Sequence, residues 1–257
     1  MSGVHPTAVV APGARLGADV QIGPYAVIGD HVVLGDRVCV MAHAFLDGWT
    51  TIGAECTVFP FASLGSQTQD LKYRGGKTAV TIGDRTTIRE YVTVNASTVD
   101  GGVTRVGAAC HIMAYVHIAH DCTIGDRVII SNGATLAGHV VVEDDVGISG
   151  LAGFHQFVRV GRMAYIGGMT KIVQDVPPYM LCDGTPAAMH AVNTVGLQRH
   201  GVGPEAVAML RKAFKLLYRE GLNTSQALER MRVELAPCAE RDVLLRFIET
   251  SERGILK

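Results

Sequence analysis

Aromatic side chains are scarce in this sequence, with 7 Phe, 7 Tyr and 1 Trp among 257 residues, and charged residues make up only 18%. So little charge beside 48% apolar residues excludes a disordered chain, which needs the opposite balance. No apolar run approaches the roughly 18 residues of a spanning helix, so no membrane span is expected. The six cysteines, Cys39, Cys56, Cys110, Cys122, Cys182 and Cys238, form no C-x-x-C pair and no cluster, which weighs against a disulfide framework or a thiolate zinc site. An excess of positive charge is missing too. The formal net charge is −1, which leaves no overall field to hold nucleic acid or an anionic membrane. The N-terminal residues show no basic segment followed by an apolar stretch, and the expected location is the cytoplasm.

What is present is unevenly distributed. Residues 1–203 hold 28 of the 30 glycines, whereas residues 204–257 hold 2 glycines and are denser in charge. The first part contains a repeat of six. Stepping by six from Val4 through Val10, Leu16, Ile22 and onward to Ile172 meets a large apolar residue at 26 of 29 positions. A smaller residue, such as Ala26, Val38, Ala44, Cys56 or Val116, sits two places before each one, and Gly often follows it. A period of six fits neither an amphipathic helix at 3.6 nor a hairpin meander. It fits a three-sided parallel β-helix in which three hexads close one turn and aliphatic side chains fill the axis. The expected division is a β-helix over 1–190, with loops at 66–80 and 98–104, and a helical domain over 191–257.

The three missed positions, Asp70, Gly76 and Asp100, mark those loops. The missed hexads together equal one full turn, so Leu64, Ile118, Leu136 and Phe154 fall on one side of the prism. That side carries His120-Asp121, Gly138-His139 and His155-Gln156, and a step of three hexads sets Gly138 over His120 and His139 over Asp121. A carboxylate beside an imidazole fixes its tautomer and stabilises its protonated form, as a general base near neutral pH requires. The N–H of Gly138 is a candidate oxyanion donor. A competing reading takes His117, His120 and His139 as zinc ligands, as in hexapeptide carbonic anhydrases; Asp121 offers His120 a different partner, and the expectation is no metal and no cofactor.

The segments His117-Ile-Ala-His-Asp-Cys122, Gln69-Asp-Leu-Lys-Tyr73, Ala134-Thr-Leu-Ala-Gly-His139, His155-Gln-Phe157 and Gln174-Asp-Val-Pro-Pro-Tyr179 closely resemble the UDP-N-acetylglucosamine O-acyltransferases, hexapeptide enzymes that begin lipid A biosynthesis. The resemblance covers essentially the whole chain. It implies a left-handed β-helix, a homotrimer with active sites between subunits, and transfer of an R-3-hydroxyacyl group from acyl carrier protein to the sugar nucleotide's 3-hydroxyl. On this resemblance His120 is the base, Asp121 orients it, and Gly138 donates to the oxyanion. Gln69, Asp70, Lys72, His117, His139, His155, Gln156, Asn193 and Arg199 would hold substrate, and Gly168 would leave the acyl groove open for a longer chain. The sequence departs from the family at Val195, where an acidic residue is common, at His200, where a second arginine is, and at Asn95, where a familiar member has histidine. Asn95 makes a 3-amino sugar acceptor an alternative to the 3-hydroxy sugar.

In the C-terminal part, Pro204 suits a first helical position, and Val207, Leu210, Phe214 and Leu217 form a buried stripe. Thr224 is the expected N-cap before Ala227, Leu228, Met231 and Leu235. Val243, Leu244, Phe247 and Ile248 indicate a third helix. Arg211, Lys212, Lys215 and Arg219 make a basic patch suited to an acidic carrier protein.

Overall fold

The computed structural model describes residues 3–257. From Gly3–Val4 to Lys171–Ile172 the chain lays down short strands, most of two residues, that pair in parallel with the strand one coil away. The partners are three hexads apart, as at His117↔Thr135 and Thr135↔Gly153. Three sheets result, of 11, 9 and 8 strands among the described residues, and they form the three sides of a left-handed parallel β-helix. Each hexad's aliphatic residue points to the axis. Ile22, Leu34, Ile52, Ile88, Ile118 and Leu136 are among the fully buried side chains, each contributing roughly 1.5–3 kcal/mol by leaving water. Few aromatics fit an axis filled this way.

The corners follow a rule of their own. The residue three places after the inward aliphatic one repeatedly adopts a positive φ without being glycine, as at Tyr25 (58°), Arg37 (57°), Asp121 (60°) and His139 (61°). Such a conformation costs roughly 1–2 kcal/mol per residue, and stacked coils on either side offset it. Several corners are also stitched to the coil above by an aspartate: the N–H groups of Ala18, Ala54 and Ala108 each donate at 2.8 Å to Asp36, Asp84 and Asp126, and that of Asp126 at 2.9 Å to Asp144.

Two excursions leave the coil. Ser63 pairs with Thr93 five hexads on, and Thr93 with His117 four hexads on, where an ordinary coil takes three. The additional length lies in 67–78 and 96–102, since Ser66, Ala79–Val80 and Val103–Thr104 remain strand. The two are joined, Asp100 accepting from the Lys77 N–H at 2.7 Å.

The ends of the solenoid differ. At the first coil the inward Val4 and Leu16 stay 46% and 38% exposed, with no coil beneath them among the described residues. At the far end a hairpin, Met180–Asp183 with Ala188–Val192, extends the first sheet and crosses the expected division at 190/191. Helices α1 (Thr194–Arg199), α2 (Pro204–Tyr218), α3 (Thr224–Glu234) and α4 (Ala239–Glu249) follow, α2 packing on Ala188–Val192, α3 and α4. The cap of α3 is Asn223, not Thr224: Asn223 Oδ1 accepts from the Gln226 N–H at 2.9 Å while Gln226 Oε1 accepts from the Asn223 N–H at 3.1 Å, a reciprocal box that starts the helix one residue early. The C-terminal tail returns to the last coil, where buried Asp175 accepts from Arg159 N–H (2.8 Å) and Ser251 Oγ (2.7 Å) and its backbone bonds Gly254 and Leu256. No helix among the described residues is long and apolar enough to cross a membrane.

Candidate active site

The second sheet orders the strands Ser63–Ser66, Thr93–Asn95, His117–Ile118, Thr135–Leu136 and Gly153–Phe154 side by side. The corners that follow them therefore stack, and the expected side of the prism carries the expected histidines. His120 Nδ1 lies 2.9 Å from Asp121 Oδ2, and His139 Nε2 lies 3.7 Å from the same oxygen. With Nδ1–H donating to the carboxylate, the lone pair of His120 sits on Nε2.

Asp121 is the most heavily bonded side chain of the group. Ser97 Oγ donates to Oδ1, and Thr98 Oγ1 and its N–H donate to Oδ2 at 2.6 and 3.2 Å. Burial opposes ionisation here, but the hydrogen bonds from Ser97, Thr98 and His120 prevail and hold the carboxyl at about 2. The carboxylate is thus charged throughout the physiological range. Its positive-φ backbone is fixed by an N–H donated to Thr104 Oγ1 at 2.8 Å.

Gly138 lies against the ring of His120. A Cβ on Gly138 would come within 2.3 Å of Cε1 and 2.5 Å of Nε2, so His120 itself excludes a side chain there. Gly138 occupies the same hexad place as Ala18, Ala54 and Ala108, whose amides an aspartate of the next coil takes. Here the residue one coil on is Gln156, and the Gly138 N–H has no hydrogen-bond partner among the described residues. Gly138 thus combines closeness to the base with an amide that has no partner among the described residues. His139 stacks on Phe157 at 4.5 Å between centroids and meets His120 edge-on at 5.2 Å.

His117 is drawn away from the centre: its Nδ1 bonds Thr93 Oγ1 at 2.7 Å, and burial, then the neighbouring His120, lowers its pKa. This alters the zinc set considered from sequence. The compact group is His120, Asp121 and His139, with ligand atoms within 4.8 Å of one another, and His117 is not in it. Asp121 already accepts from Ser97, Thr98 and His120, so its oxygens serve as hydrogen-bond acceptors and a cation would have to displace those donors.

The remaining expected residues are spread more widely. His155 and Gln156 line a groove with Thr135, Gly153, Phe154 and Lys171, which runs from Gly138's own coil to two coils beyond it. Gln69, Asp70 and Lys72 lie in the 67–78 excursion, where Asp70 Oδ1 accepts from the Lys72 N–H at 2.8 Å; among the described residues no hydrogen bond or ion pair within the chain joins them to His120. Asn193 caps α1, accepting from the Gly196 N–H at 3.0 Å, and donates to the Met163 carbonyl at 2.9 Å. Arg199 is exposed in the last turn, and His200 Nδ1 is 3.5 Å from Asp145 Oδ1. Gly168 has no positive φ, and a Cβ there meets only Gly150 O at 3.5 Å and Ser149 Cβ at 4.0 Å, so its backbone does not demand glycine. Asn95 is buried, donates to Gln67 O at 3.2 Å, and leaves Oδ1 without a partner. Sequence reasoning missed Ser97 and Thr98. Their signal was the step of four hexads that the excursion imposes below Asp121, visible only once the excursion's length is counted.

Comparison with known proteins decides the family. Residues 175–256 match the family model described as the second domain of UDP-N-acetylglucosamine O-acyltransferase, and residues 13–48 and 104–138 match the bacterial transferase hexapeptide model. The acyl-[acyl-carrier-protein]–UDP-N-acetylglucosamine O-acyltransferase of Verminephrobacter eiseniae is 48% identical over 100% of both chains, and that of Thiobacillus denitrificans is 49% identical over 100% of both. This chain belongs to the UDP-N-acetylglucosamine O-acyltransferase family. Among solved structures, the UDP-N-acetylglucosamine acyltransferase of Bacteroides fragilis superposes with a TM-score of 0.96 at 37% identity, covering 99% of this chain and 100% of that one. Family membership accounts for the helical part as well as the solenoid, since the matched second-domain region runs to residue 256.

Proposed function

We propose that this acyltransferase moves an R-3-hydroxyacyl group from the thioester of acyl carrier protein to the 3-hydroxyl of UDP-N-acetylglucosamine. The observation that carries the mechanism is the pairing of His120, oriented by an ionised Asp121, with the unpaired N–H of Gly138. Nε2 of His120 takes the hydroxyl proton as the sugar oxygen attacks the thioester carbon. The Gly138 N–H receives the developing oxyanion. Collapse breaks the carbon–sulfur bond, and the leaving thiolate takes the proton from the imidazolium, so ester and free carrier thiol form and the base is regenerated. Asp121 stabilises the imidazolium meanwhile. No covalent enzyme intermediate and no metal is required.

Gln69, Asp70, Lys72, His117, His139, His155, Gln156, Asn193 and Arg199 hold the substrates in this reading, and Gly168 leaves room for a long acyl chain. The absence, among the described residues, of a hydrogen bond or ion pair from Asp70 or Lys72 to the chain's own His120 supports a homotrimer in which they act in a neighbouring subunit's site. So does a corner of stacked rings, Tyr25, His43, Phe61, Tyr91 and Tyr115, with centroids 4.9–5.2 Å apart and Tyr25, Phe61, Tyr91 and Tyr115 exposed. The protein works in the cytoplasm, where its carrier-bound donor is made. The test is to supply hydroxyacyl carrier proteins of graded chain length with the 3-hydroxy or the 3-amino UDP-sugar and to weigh the product. An ester of a long chain is expected; no product with any donor would overturn the proposal, and preferential amide formation would reassign the acceptor. Sedimentation should give a mass near three times 27.3 kDa.

A further inference from the structure

Two cations at the far end of the site's groove have no place in the scheme above. Lys171 lines the groove beside Gly153, its partner in the adjacent strand. Arg253 reaches the same end from the C-terminal tail, its Nη2 3.3 Å from His155 Nδ1 and 3.4 Å from the Val173 carbonyl. Among the described residues neither cation has a carboxylate at ion-pair distance, in contrast to Arg37, Arg89, Arg127, Arg230 and Arg232. Both are exposed, and Arg253 is held in place by its backbone neighbours: Gly254 O accepts from the Asp175 N–H at 3.1 Å, and Ser251 Oγ donates to buried Asp175 at 2.7 Å. The tail is thus stitched to the coil that bears Lys171, and it presents a guanidinium whose remaining donors are free.

We propose that Lys171 and Arg253 form a phosphate subsite that takes the phosphate joining the carrier protein's thiol arm to its serine. The proposal rests on the acyl-transfer reading. Distance supports it. Lys171 lies three coils beyond His120, about 14 Å at the strand spacing. The arm between thioester sulfur and phosphate is an amide-containing chain of about four residue-lengths, which spans roughly 14 Å when extended. With its thioester carbon between His120 and Gly138, an arm running along the groove past Thr135, Gly153 and Gln156 brings its phosphate to Lys171 and Arg253. The carrier protein then stands toward the helical end, where α2 exposes Arg211 and Lys212, with Lys215 shared with Glu220 at 3.7 Å. A guanidinium suits phosphate because it can donate two parallel hydrogen bonds.

The diphosphate of the sugar nucleotide offers the same chemistry, and the experiment separates the two sources. Hydroxyacyl-phosphopantetheine and hydroxyacyl-pantetheine, identical but for the phosphate, serve as donors for the wild type, K171A/R253A and R253K. The wild type is expected to favour the phosphorylated donor in kcat/KM by about tenfold, as a charge-assisted contact allows. K171A/R253A should bring that ratio close to one, and R253K should fall between. Equal ratios in wild type and double variant, or no preference in the wild type, would overturn the proposal. A rise in KM for the UDP-sugar with an unchanged donor ratio would also overturn it, by giving the subsite to the diphosphate. Absence of product from wild type with the full carrier-protein donor is a separate result, and it counts against the acyl-transfer reading itself.

Discussion

The corner Ile124-Gly-Asp-Arg127 and the corner Leu136-Ala-Gly-His139 hold the same place in their hexads, yet one is fastened to the next coil and the other carries residues proposed for the chemistry. In the first, the Asp126 amide is taken by Asp144, and Arg127 pairs with Asp145 at 2.7 Å. In the second, the Gly138 amide has no partner among the described residues and His139 faces Asp121. The backbone is the same, with φ near 60° at both Arg127 and His139. The difference lies in what the next coil supplies: Asp144 in one case, Gln156 in the other. In the proposed mechanism, the repeat supplies its oxyanion donor by withholding one of its own stitches.

That contrast can be broken from either side. His120→Ala removes the base and should lower kcat by about 10³–10⁴, at the upper end of what general base catalysis supplies; product formation near the wild-type rate would end the assignment. Gln156→Asp should turn the site corner into a fastening corner by giving the Gly138 N–H an acceptor, with a loss of about 10² in kcat and no loss of melting temperature. An unchanged kcat in that variant would mean that the amide is not used.

Ser97→Ala probes the support beneath Asp121 and should cost about tenfold in kcat, because one buried hydrogen bond to the carboxylate disappears. Its pH signature follows from the lowered Asp121 pKa. The carboxyl's folded value, about 2, lies below its ordinary 3.8, so its stabilising effect is present above pH 4 and lost as the pH falls toward 2. Acid unfolding of the wild type should release about 2 kcal/mol from this group across that window, and the variant less. Smallest is Asp144→Ala, which strips a stitch from the fastening corner. It should cost about 1 kcal/mol in stability with kcat unchanged, and a large activity loss would show that the two corners are not separable.

Most of the solenoid was legible because a period of six leaves a mark on every hexad, and the inward residues Ile118, Leu136 and Phe154 are where the count put them. The vertical relation of His120, Asp121, Gly138 and His139 was legible for the same reason. Ser97 and Thr98 were not, since they sit where the chain leaves the coil and counting stops. Asn223 was missed as a cap because Thr and Asn both satisfy a helix end, and only the reciprocal bond with Gln226 chooses between them. Arg253 was hidden by distance along the chain, far beyond the coil that carries His155.

The six-residue rule also governs which changes of length the protein can survive. A single residue inserted between Val106 and Ile172 would exchange inward and outward positions over at least the remainder of its side, and a whole hexad would turn every later corner onto another sheet. Between His120 and Gly138 even a complete turn of three hexads would set a coil between the two, whereas a lengthening confined to the excursions 67–78 and 96–102 keeps His120 beneath Gly138. Length variation among related chains is therefore expected to be quantised along the shaft and continuous at its two projections.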